Sequence, residues 1–129
     1  MSDALKEEYQ AGWRRRFSRR DLEAQASAEA ARGALEEAVA ILKGHGATRV
    51  ILFGSLLSGS FHPRSDIDLA VEGIPKAAFT RAFADLMMAL DWPVDLKPLE
   101  EVDPAFREVV RAKGTVLYEK TRGDSRTRR

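Results

Sequence analysis

The sequence predicts an α/β (α+β) domain, a small sheet flanked by helices with a long helix toward the N-terminus, on the strength of three observations. Short segments rich in Val, Ile, Leu and Phe read as strands, because β-branched and aromatic side chains suit a pleated, buried surface. Longer stretches between them repeat apolar residues at helical spacing. Glycine or proline marks most junctions, where the chain must turn or a helix must stop.

From Ser18 or Asp21 to about Lys43 the chain is rich in Ala, Glu and Leu, with Leu22, Ala26, Ala30, Leu35, Val39 and Leu42 at helical spacing. One long amphipathic helix is expected there, either packed on the sheet or offering its N-terminal half to a partner helix. Gly44-His45-Gly46 ends it. Arg49-Val50-Ile51-Leu52-Phe53 is a buried strand that stops at Gly54, and Ser55 is placed to open a helix through Leu56 and Leu57. The unsatisfied N–H groups of such a first turn favour an anion. Ile67-Asp68-Leu69-Ala70-Val71 forms the second strand, and Gly73-Ile74-Pro75 turns the chain into a helix from Lys76 or Ala77 to Leu90. Ala78, Phe79, Ala82, Phe83, Leu86, Met87 and Leu90 share one side of it and are assigned to the core. Trp92 is assigned to packing beside the sheet in preference to stacking on a nucleobase. Pro93-Val94-Asp95-Leu96-Lys97 is the third strand. Asp103-Pro104 starts a last helix that turns Phe106, Val109 and Val110 inward, Gly114 ends it, and Thr115-Val116-Leu117-Tyr118 is a final strand with Tyr118 at a sheet edge.

This organisation divides the chain into a helical N-terminal extension over 1–44, a core domain over 45–121 and a basic, disordered tail over 122–129. At 129 residues and 44% hydrophobic, the chain can bury one modest core. The absence of cysteine excludes disulfides, thiolate metal sites and a cysteine nucleophile. With His45 and His62 as the only histidines, a zinc site is disfavoured. No signal peptide and no apolar run of the roughly 20 residues that span a bilayer are found, so a cytoplasmic protein without membrane association is expected. The net charge of +1 hides a dense basic stretch, Arg14-Arg15-Arg16-Phe17-Ser18-Arg19-Arg20. Glu7, Glu8, Asp21 and Glu23 balance it, and with no interleaved aromatic pattern beyond Trp13 and Phe17 a solvated face or a protein contact is favoured over direct nucleic-acid binding.

The chemistry concentrates in one pattern: Gly54-Ser55, ten residues, then Asp66-Ile67-Asp68. Period-two geometry puts Asp66 and Asp68 on one face of a strand while Ile67, Leu69 and Val71 point into a core. Two carboxylates on one face repel unless a cation lies between them, and a hard divalent ion such as Mg2+ takes one or two carboxylates and fills its other positions with phosphate oxygens. Asp95 supplies a third acid on a later strand, as a metal ligand or a general base, so one or two metals could be held. Lys97 shares a strand face with Asp95 and could reach a phosphate as a point charge, or could be an ordinary surface lysine. His62-Pro63, with Gly59 and Ser60, supplies turn chemistry for the loop that brings Ser55 and Asp66 to a common cleft, so His62 is read as a loop residue before a contact to nucleotide.

These residues resemble the minimal nucleotidyltransferases of the DNA polymerase beta superfamily, whose signature is Gly-Ser, ten residues, Asp-x-Asp and a third acid on a later strand. The resemblance covers roughly residues 45–120. It implies a mixed sheet flanked by helices, Mg2+ dependence and ATP as donor, with Gly54 and Ser55 at the phosphates and Asp66, Asp68 and Asp95 as catalytic and metal-binding residues. It further implies an antitoxin that pairs with an all-helical HEPN ribonuclease toxin and transfers AMP to a tyrosine hydroxyl on it. The chain departs from the family in one respect: arginines often follow the Gly-Ser, where this sequence has Leu56-Leu57-Ser58-Gly59. The chain would then bind triphosphate weakly, meet the phosphates through Arg64 or Lys97 instead, or have lost catalysis. A protein that neutralises its partner sterically, with idle acids, is the alternative. A nucleotidyltransferase acting on a small molecule or an RNA end is a second, against which the lack of room for an acceptor-gripping domain argues. The same shortness predicts that the acceptor surface comes from another protein or from a second copy of the chain.

Overall fold

The computed structural model describes residues 21–121. The basic Arg14–Arg20 stretch and the tail from Arg122 lie outside the described residues. A helix over 21–33, α1, leads through a turn at Ala34 into α2 (Leu35–Gly44). Strand β1 (Arg49–Phe53), the single-turn helix α3 (Ser55–Ser58), strand β2 (Ile67–Glu72), helix α4 (Lys76–Ala89), strand β3 (Val94–Pro98), helix α5 (Pro104–Lys113) and strand β4 (Thr115–Glu119) follow. The strands form one mixed sheet in the order β3-β2-β1-β4. β1 runs antiparallel to both β2 and β4, whereas β2 and β3 are parallel and joined through α4, the kind of crossover a parallel pair requires.

Alternation along the strands creates two apolar faces. Val50 and Leu52, Ile67, Leu69 and Val71, and Val94 and Leu96 join Ala28, Ala31, Ala38, Leu42, Ala82 and Leu86 in the larger core, so α1, α2 and α4 cover that face. Ile51 and Ala70 turn the other way, onto Leu99 and Val110, with Phe53, Val102 and Phe106 against them. Among the described residues α5 is the only helix packed on this second face. Asp103 caps α5 by accepting the Ala105 N–H at 2.8 Å, with Pro104 in the first turn. Arg107 fixes its position by donating from Nε to the Leu99 carbonyl at 2.8 Å. A side chain at Gly114 would drive into Ile51 Cγ2 and the Val110 carbonyl, so only glycine lets α5 turn this closely into β4.

The far end of the α5 face is closed by charge. Arg49 lies in register with Glu72 on β2 and Glu119 on β4, and its guanidinium reaches both, at 2.9 and 2.6 Å. Arg111 approaches Glu72 from α5 at 3.5 Å. On the opposite side of the sheet, His45 Nε2 and Asp85 Oδ2 are 2.7 Å apart and tie the end of α2 to α4, while Lys43 Nζ sits 4.6 Å from the ring centre of Tyr118 on edge strand β4.

Three expectations about which residues face inward are corrected. The long helix is interrupted at Ala34, next to Gly33, and its first half is rotated from the expected phase: Leu22 is 64% exposed and Ala26 and Ala30 face solvent, whereas Ala28 and Ala31 are buried. Alanines occur at nearly every phase there, so Leu22 alone set the expected stripe, and close packing selected the small residues instead. Met87 lies just outside the buried arc of α4 that Ala82, Leu86 and Leu90 define. Val109 is 52% exposed because α5 buries only the Val110 side of its stripe. Among the described residues no helix is long and apolar enough to cross a membrane.

Candidate active site

The site begins where β1 ends. Gly54 has φ +77° and ψ −154°, a conformation that side-chain-bearing residues avoid, and an added Cβ would fall onto the Asp68 carboxylate, 2.7 Å from its Cγ. Glycine therefore serves two purposes here: it turns the chain into α3 and lets the carboxylate lie directly against the backbone. Ser55 opens α3, whose turn closes through Ser58 N–H to the Gly54 carbonyl at 3.0 Å and ends at Gly59, with φ +87°.

The connection from Gly59 to Asp66 is anchored at both ends of its curve. Phe61 is 2% exposed and packs edge-on against Trp92, with ring centres 5.3 Å apart, so Trp92 serves packing as expected. The Ser65 hydroxyl accepts the His62 N–H at 3.0 Å, and His62 Nδ1 accepts the Arg64 N–H at 3.2 Å. His62 is thus a loop-forming residue. Ile67 N–H bonds to the Pro93 carbonyl at 2.9 Å, which sets the start of β2 beside the start of β3.

That alignment brings the acids together. Asp68 pairs in register with Asp95 on parallel β3 and with Phe53 on β1, so both carboxylates lie on the face that α5 covers only in part. Burial raises the Asp68 pKa above the ordinary carboxylate value, the negative charges of Asp95 and Asp66 add to the rise, and the Lys97 ammonium and the Ser55 backbone N–H oppose it. Lys97 Nζ lies 3.1 Å from Asp95 Oδ1, on the shared strand face. Asp66 precedes the strand and is exposed, near enough to repel Asp68. Among the described residues no three His, Asp or Glu side chains are gathered closely enough to hold a metal as they stand. The donor set nevertheless suits a hard cation: two oxygen-bearing side chains in adjacent register, with Asp95 raising the cost of charge on Asp68. Arg64 is exposed, and among the described residues its guanidinium makes no hydrogen bond or ion pair.

Sequence reasoning missed the wall beside this cluster. A cleft of about 470 Å3 opens between α3 and α5, lined by Phe53, Gly54, Leu57, Ser58, Phe106, Val109, Val110 and Lys113. Phe53 and Phe106 meet edge to face at 5.6 Å. The α5 residues recur at positions i, i+3, i+4 and i+7, a signal readable in sequence, but their pairing with α3 is set only by the fold.

A family model described as "Polymerase beta, Nucleotidyltransferase" matches residues 36–123. No curated protein matches the sequence. Among solved structures, one assigned as a minimal nucleotidyltransferase is 28% identical, with a TM-score of 0.61 over 68% of this chain and 93% of that one. A toxin–antitoxin complex crystallised with AMP-PNP contains a chain 28% identical, with a TM-score of 0.57 over 67% and 74%. A complex of a tri-AMPylated HEPN toxin from Shewanella oneidensis with its MNT antitoxin contains one 25% identical, with a TM-score of 0.52 over 71% and 74%. The family match spans most of the described residues, and the chain belongs to the polymerase-beta nucleotidyltransferase family.

Proposed function

We propose that this chain is a Mg2+-dependent nucleotidyltransferase, the antitoxin of a HEPN toxin pair, which moves AMP from ATP to a tyrosine hydroxyl of its partner. The observation that carries the reading is the register of Asp68 with Asp95 directly against the Gly54-Ser55 turn. The likeness to chains from toxin–antitoxin complexes supports the partner, and the AMP-PNP and tri-AMPylated complexes support the donor and the product.

In this reading Asp68 and Asp95 hold Mg2+, with Asp66 as a further ligand. The bound ion would neutralise charge on the phosphates and favour ionisation of the acceptor hydroxyl. Gly54 presents its backbone N–H and Ser55 its hydroxyl to the donor phosphates, while the Ser55 N–H is given to Asp68. Asp95 accepts the proton of the incoming hydroxyl, whose oxygen attacks the α-phosphorus in line as the bond to the β-phosphate oxygen breaks and pyrophosphate leaves. Lys97, 3.1 Å from Asp95, holds it in orientation until then. Positioning and charge neutralisation supply most of the rate. Arg64 is assigned to the phosphates only as a side chain free to swing in, and the cytoplasm is the compartment that supplies ATP and a cytosolic partner.

The test is transfer of label from α-labelled ATP to the partner toxin by the wild-type protein and Asp68→Asn. Loss of labelling in a variant that stays folded supports the assignment, and undiminished labelling rejects it. A steric antitoxin with idle acids is the second reading. It is favoured by the absence of any basic side chain on α3, where Leu56 is buried and Leu57 faces the cleft. Protection of cells by Asp68→Asn as well as by the wild type would select it.

A further inference from the structure

α3 is a single turn, too short to hold its own place, yet the Ser55 N–H that meets Asp68 depends on where it lies. Backbone groups close its end in part: the Ser58 N–H goes to the Gly54 carbonyl, and the Gly59 and Ser60 N–H groups both go to the Ser55 carbonyl. The Leu56 carbonyl is left to a partner from outside the turn. Arg32 on α1 supplies it, donating from Nη2 at 3.5 Å. This contact belongs to a wider seam, in which Ala24, Gln25, Ala28 and Arg32 lie along Gly59 and the buried Phe61. α1 precedes the family match, which begins at residue 36.

We infer that α1 is a positioning element of the transferase site and that Arg32 is the residue through which it acts, holding α3 in the place from which Ser55 meets Asp68. The inference rests on the transferase reading and adds to it a part of the chain outside the family match. Two observations separate positioning from packing. Arg32 is exposed and, among the described residues, makes no other hydrogen bond or ion pair, so its loss opens no cavity. The hold of α1 on the core comes instead from Ala28 and Ala31, 8% and 0% exposed. α3 also carries no basic side chain of its own, so the cation that reaches one of its last carbonyls has to come from another element. A displacement of about 1 Å in a group that aligns an in-line attack is enough to slow the reaction strongly.

The test is steady-state transfer from α-labelled ATP to the partner toxin by the full chain, with kcat and the KM for ATP resolved. Arg32→Ala and Arg32→Met should each lower kcat about tenfold and leave KM within about twofold, because the donor still binds while the attack is misaligned. Arg32→Lys keeps a cationic donor on a flexible stem and should recover most of the loss. Gln25→Ala, on the same seam but bonded to Glu29 rather than to α3, should match the wild type. Hydrogen exchange over residues 54–60 should be faster in Arg32→Ala at an unchanged melting temperature. Wild-type kcat and exchange in Arg32→Ala and Arg32→Met would overturn the inference and leave the transferase reading standing. A loss of kcat that follows a fall in melting temperature, or that lysine does not restore, would make Arg32 a structural residue and overturn it as well. If the wild type transfers no label, the transferase reading fails first and the inference with it.

Discussion

The two faces of the sheet are built from alternate residues of the same strands and differ in what covers them. On one, Leu52, Leu69 and Leu96 are packed beneath α1, α2 and α4. On the other, Phe53, Asp68 and Asp95 occupy the neighbouring positions, and α5 covers only part of the surface. A strand shifted by one residue would bury the acids and expose the leucines, so the deep core on the first face fixes the register on which the second depends. Stability and chemistry are thus separated by a single strand position, and substitutions at adjacent residues should separate them too.

The largest expected effect lies on the open face. Asp68→Asn should lower nucleotide transfer by roughly a hundredfold or more in a label-transfer assay. Its melting temperature should not fall, since the wild-type carboxylate is half-buried and repelled by two acids. The adjacent Leu69→Ala should do the reverse, costing about 2–5 kcal/mol in denaturant unfolding because it opens a cavity under α2 and α4. Gly54→Ala should damage both properties, as the added methyl group meets Asp68 and the positive φ is lost; a variant with unchanged melting and transfer would break the claim that this turn joins the two faces. A smaller effect belongs to the ion ladder at the far end of the open face. Arg49→Ala should cost about 1 kcal/mol or less, diminishing at high salt, and should leave transfer unchanged. Smallest is Lys43→Ala, which removes the cation over Tyr118 and should cost about 0.5 kcal/mol.

The contrast also explains what could be read from the chain. The strands, α3, the end of α2 near Gly44 and the caps at Gly54 and Gly114 are legible because each rests on neighbouring residues: a β-branched run, a glycine, an Asp-Pro pair. The pairing of Asp68 with Asp95 is legible as an alternation on two segments, although register had to come from the fold. Alanine's uniformity hid the phase of α1, since Ala28 and Ala31 differ from Ala26 and Ala30 only in where α1 meets the sheet. The cleft was hidden for another reason. Leu57 and Val109 read as ordinary apolar residues, and only the meeting of α3 with α5 leaves them open beside a lysine.

The central claim is that Asp68 and Asp95 hold a divalent cation together with a nucleotide, and Mn2+ binding followed by electron paramagnetic resonance in the presence of a non-hydrolysable ATP analogue tests it most directly. The wild type should take up Mn2+ in a nucleotide-dependent manner, and Asp68→Asn and Asp95→Asn should each lose that uptake. Equal uptake by all three proteins, or none by the wild type, would contradict the account.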